Sequence, residues 1–212
     1  MHSAMAFSGD ADDIARARAR LGPPDNEAPA AVGVSGVIGR SIDAAILLMG
    51  LARYTTGLQV ELAIRCRLDL DPADLTYSTL DGGLLAGVQL ADGRTAVAGR
   101  FRWDDGLSAD EPLLTHQSGG GGGREWSTNL WLSPAPPPGD LVLVVAHPAL
   151  GVDESSFTVD GEALRAAAGR VEVLWPREPD RDHALPEPAV PEVAAGGWFE
   201  RAWAPAEPKD PR

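Results

Sequence analysis

A chain of 212 residues with a net charge of −13 and one cysteine suits one domain with flexible ends, or at most two small domains. The single Cys66 excludes an intramolecular disulfide, and no apolar run reaches the length of a membrane span. Both ends and the middle carry excess acid, which leaves no basic stretch for a nucleic-acid backbone.

The first residues, "MHSAMAFSGDADDIARARARL", lack a basic leader and a long apolar stretch, so the cytoplasm is the expected location. "DADDIARARARL" can start a short helix with Asp10 or Asp12 near its positive end, but Arg16, Arg18 and Arg20 recur with period two and build no helical face. "GPPDNEAPA" reads as linker. Residues 1–31 are therefore expected to be a disordered N-terminal arm.

"GVSGVIG" at 33–39 places Ser35 between glycines without the G-x-S-x-G spacing of a nucleophile elbow, so it reads as irregular strand or loop. "AAILLMGLARY" is apolar nearly throughout. In "GLQVELAIRCRL", Leu58, Val60, Leu62, Ile64, Cys66 and Leu68 point one way and the residues between them the other, the pattern of a strand with one face in a core. "YTTG" joins the two as a hairpin, with Gly57 free to take a positive φ.

"LLAGVQLADGRTAVAG" is a second hairpin, with Asp92-Gly93 suited to a two-residue primed turn. Further strands are expected at 113–116, 125–132, 140–147 and 171–175. "LVLVVAH" has no polar face, as in a central strand covered on both sides or nearly so. One helix is expected in "DGEALRAAAGR", capped by Asp160 and ended by Gly169. The sum is a mainly β protein: an antiparallel β-sandwich, Ig-like or jelly-roll-like, over residues 32–176, with one short helix and disordered termini. A closed or partly open barrel is the alternative.

The run Gly119–Gly123 invites comparison with phosphate-binding loops. Those need a helix N-terminus behind the anion, and a P-loop needs Lys-Ser or Lys-Thr after the glycines. Here Arg124 and "EWSTNLWL" follow, which alternate like a strand. The run is expected to be a flexible connection between strands. The competing reading is a loop closing over an anionic ligand, with Arg124 as the charge and Trp126, His116 and His147 as neighbours. "SPAPPPGD" reads as a stiff turn.

His116 and His147 each close an expected strand, so they are candidates to lie side by side in one sheet. Metal binding would need a third ligand, such as Asp153 or Glu154, and no local spacing supplies one. Neither a metal nor another cofactor is expected. The acids in Asp104-Asp105 and Asp153-Glu154 sit in turn-like contexts, where adjacent carboxylates are solvated rather than proton-sharing.

From 177 to 212 the chain is proline-rich and acidic, a composition that cannot bury enough apolar area to offset ordering entropy. Within it "GGWFERAWAP" holds Trp198, Phe199 and Trp203. Phe199 and Trp203 are four apart and share a face on a helical turn. Tethered aromatics of this kind anchor a partner protein or a second copy, or else fold back on their own domain.

"YTTGLQVELAIRCRL", "GVQLADGR" and the block from "GGGGGREWSTNLWLSPAPPPGD" to "VEVLWP" resemble a group of uncharacterised actinobacterial proteins. These share a tyrosine–glycine hairpin, a glycine-rich stretch running into a tryptophan-bearing strand, a proline turn and a closing "LWP". The likeness covers most of residues 43–176 and implies no activity. The expectation is a non-enzymatic module for protein binding or assembly. The alternative is a small-molecule binder or hydrolase built on residues 119–124.

Overall fold

The alternation in "LQVELAIRC" becomes β5 (Leu58–Cys66), the centre of a six-stranded antiparallel sheet. Leu58, Val60, Leu62 and Ile64 are all buried on its inner side. The computed structural model describes residues 20–69, 83–99 and 110–177. In chain order the strands are β1 (Glu27–Ala28), β2 (Ala30–Val32), β3 (Gly36–Arg40), β4 (Ala44–Arg53), β5, β6 (Leu85–Gln89), β7 (Thr95–Val97), β8 (Leu113–Gly122), β9 (Glu125–Ser133), β10 (Leu141–His147), β11 (Val152–Val159) and β12 (Glu172–Val173). The helix α1 spans Gly161–Ala168.

The larger sheet has the order β2-β4-β5-β9-β8, with β3 beside β4 on the same edge as β2. A four-stranded sheet runs β11-β10-β6-β7, and β1 pairs with β12 in a separate ladder. Every pairing is antiparallel. The mainly β, antiparallel expectation is met. The two larger sheets turn apolar faces to one another: Val60, Leu62, Leu114 and Leu130 from one line a small void with Ala86, Val88, Leu143 and Val145 from the other. A fully buried leucine such as Leu58 or Leu132 contributes about 2 kcal/mol.

Along one flank β3 packs on β11, with Phe157 against Gly36 and Val152 and Ser155 against Gly39. At one end α1 packs on β2 and β4 and drives Leu164 and Ala167 into the shared core. Asp160 caps it by accepting from the Glu162 amide at 2.8 Å, as its sequence suggests.

Several details differ from the sequence reading, each for a local reason. Residues 20–31, read as part of an arm, carry β1 and β2, and Ala30 is buried. Strand-to-strand pairing with β12 and β4 holds them, which a linker-like composition does not reveal. The "ADG" turn is longer than two residues: Gly93 N–H donates to Leu90 O and Leu90 N–H to Arg94 O. Only Gly93 takes a positive φ, so the loop is a type I turn closed by a glycine rather than a primed pair.

Gly57 does not use a positive φ. It is needed for space, because a Cβ there would lie 2.4 Å from both Leu132 O and the Trp131 ring. β5 ends at Cys66, and Leu68 is exposed rather than inward. The strand expected at 171–175 shrinks to Glu172–Val173. The remaining parts of the expected arm and tail, residues 1–19 and 178–212, lie outside the described residues. No described helix is long and apolar enough to cross a membrane.

Candidate functional site

The glycine run is mostly strand. β8 continues through Gly122, pairing Gly119 with Thr128, Gly120 with Ser127, Gly121 with Trp126 and Gly122 with Glu125. The expected flexible connection contracts to Gly123 and Arg124, with Gly123 at φ +62°. Glycine is required at 121, where a Cβ would fall 2.1 Å from Glu125 O, whereas Gly120 and Gly122 face open space. The sequence missed this strand because glycines have no side chains to alternate. β9 follows the turn directly, so no helix N-terminus stands behind these amides.

Arg124 reaches back to Asp69 with Nε 3.0 Å from Oδ1, both side chains mostly exposed. A surface pair of this kind contributes at most about 1 kcal/mol. Trp126 is half-buried and packs on the core from the inner row that also contains Ile64.

The two histidines do not meet in one sheet. His116 stands on β8 of the larger sheet, exposed, after the core position Leu114 and opposite Leu130. Partial desolvation lowers its pKa from the ordinary histidine value. His147 ends β10 in the smaller sheet, fully buried, opposite Val152. The expectation of neighbouring histidines fails because β8 and β10 belong to different layers. Asp153 and Glu154 are exposed on β11 at a register shift. Among the described residues no group of three His, Cys, Asp or Glu side chains could hold a metal ion. Trp198, Phe199 and Trp203 lie outside the described residues.

Two features escaped the sequence reading. The first is an aromatic lock on the outer face of the larger sheet. Trp131 is fully buried there, edge-on to Tyr54 at 5.4 Å and 78°, over the gap left by Gly57. Beside it a polar ladder crosses three strands: Gln59 Nε2 donates to Asn129 Oδ1 at 3.2 Å, and Asn129 Nδ2 donates to Ser118 Oγ at 3.1 Å. Burial and then the Glu27 carboxylate push the Tyr54 hydroxyl pKa up.

The second is a concavity of about 720 Å³ on the outer face of the four-stranded sheet. Leu85, Gly87, Val97, Val144 and Ala146 make its apolar part, and Gln89, Thr95 and Glu154 border it. The signal was present in "LVLVVAH", which is apolar on both faces. Val142, Val144 and Ala146 are only half-buried among the described residues. The other walls come from β6 and β7, which no local pattern links to β10.

No protein-family model matches this chain, and no curated protein matches it.

Proposed function

We propose that the protein is a non-enzymatic module for protein binding or assembly, and that the outer face of the four-stranded sheet is its contact surface. One observation carries this reading: the roughly 720 Å³ concavity with an aliphatic centre and a border of Gln89, Thr95 and Glu154. Protein interfaces combine an apolar centre with a polar rim, and this concavity has both. The occupant is a segment presenting apolar side chains. Trp198, Phe199 and Trp203 are the chain's own aromatic anchors and fit the same reading of an assembling protein.

Catalysis on the 119–124 stretch draws less support. Arg124 is engaged by Asp69, and His116 and His147 sit in separate sheets.

Sedimentation velocity across a range of concentrations tests the proposal. Val97 is 40% exposed in β7, so Val97→Glu places a charge on the surface without opening the core. The full chain is expected to associate, and Val97→Glu to weaken association about tenfold or more. Deletion of residues 196–205 reads the aromatic segment separately. A wild-type chain that stays monomeric at every concentration, together with equal retention of any co-purifying protein by wild type and Val97→Glu, would remove this face from the function.

A further inference from the structure

The end of the larger sheet gathers arginines that the chain scatters. Arg40 on β3 lies opposite Ala45 on β4, and Ala45 lies opposite Arg65 on β5. Residues directly opposite in an antiparallel ladder share a face, so two guanidinium-bearing chains flank a single methyl group on the outer face. Their Cα atoms are two strand spacings apart, about 10 Å. Arg67 follows Arg65 at period two and closes a third side, its N–H donating to Asp43 O at 2.8 Å. The result is a cleft of about 350 Å³ with Ala45 as floor, bordered by Ser41 and Ile42.

Arg40, Arg65 and Arg67 border the cleft with one acid, Asp43, and Glu125 stands opposite Arg65, in a chain whose net charge is −13. Arg67 is engaged by Asp43 through Nε at 2.6 Å and Arg65 by Glu125 at 2.9 Å. A guanidinium has five N–H donors, so each keeps donors to spare. Arg40, which borders the cleft, has no ion pair or side-chain hydrogen bond among the described residues.

We propose that this cleft binds the phosphoryl group of a small phosphate ester. A carboxylate offers two oxygens in one plane and is satisfied by a single guanidinium fork. A phosphoryl group offers three oxygens in a tetrahedral array and is matched by donors arriving from several sides, as they do here from the ends of β3 and β5. Ile42, 90% exposed at the β3–β4 turn, stands at the rim and gives the organic part of the ester an apolar surface. The site lies on the other sheet from the proposed protein-contact face and does not depend on it.

Isothermal titration calorimetry at constant ionic strength tests the assignment with inorganic phosphate, ribose 5-phosphate and citrate as probes. Wild type is expected to bind both phosphates saturably at one site, the ester more tightly and citrate more weakly. Arg40→Gln is expected to weaken phosphate binding about tenfold. Ala45→Leu keeps every charge and fills the floor, and is expected to weaken binding at least as much. Arg165→Gln, on the exposed face of α1, should leave it unchanged. Absence of saturable phosphate binding, equal losses in Arg165→Gln, or citrate binding as tight as the ester would each overturn the proposal.

Discussion

Gly57 and Gly120 are the same residue type with opposite structural roles. At Gly57 the missing Cβ admits the Trp131 ring, which in turn stands edge-on to Tyr54. Adding a methyl there forces either the ring or the β9 backbone to move. Gly57→Ala is therefore expected to cost about 3 kcal/mol, at the upper end of overpacking penalties. Gly120 faces open space and has no positive φ, so an added methyl meets nothing. Gly120→Ala is expected to be neutral or to stabilise by about 0.5 kcal/mol through a less flexible unfolded chain. Urea denaturation of the two variants beside wild type reads both outcomes. Neither role can be read from the words "YTTG" and "GGGGG". The first depends on a tryptophan more than seventy positions away, and the second on which side of the strand faces solvent.

At the scale of elements, the β8–β9 hairpin joins a glycine strand to a strand rich in side chains. Its register is set by β9, whose Leu130 and Leu132 must face the core, and by the turn at Gly123 and Arg124. Gly123 holds φ +62° and is followed by a residue with negative φ, the sense that suits the right-handed twist of paired strands. Gly123→Ala is expected to cost about 1 kcal/mol from left-handed backbone strain, seen as a lower midpoint in guanidinium chloride with an unchanged slope. A changed slope would mean that β8 detaches as well. β5 and α1 were readable in advance because their signals are local: period-two burial in one, and a capping aspartate before an alanine-rich run in the other. β8 beyond His116 was not, because strand identity there resides only in backbone pairing with β9. β2 was hidden for a related reason, lying in a segment with linker composition that β4 recruits.

At the scale of the whole molecule, α1 seals one end of the facing sheets and makes the core continuous with the helix. Leu164 is 5% exposed and belongs to the same cluster as Val32 and Leu48. Leu164→Ala is expected to cost about 3 kcal/mol in thermal or urea unfolding. Arg165→Ala, which removes an exposed pair with Glu162, should leave the unfolding midpoint unchanged. A small effect at Leu164 would mean that the helix is an accessory to the sheets and not part of their core. The two surfaces given functional readings, the aliphatic concavity and the arginine cleft, belong to this scale as well. Arg40 and Arg65 are 25 positions apart and share a cleft only because both strands pair with β4. Val97 and Val144 share a face only because β6 lies between their strands. By itself the sequence determined the class of structure, the inward row of β5, the span of α1 and the absence of any local catalytic spacing, since each is written in neighbours a few residues apart. Only the tertiary structure decided which strands sit side by side, and therefore where the glycines pair, why the histidines part and which charges converge. Those outcomes depend on hydrogen bonds between segments distant in the chain, which leave no period in either segment alone.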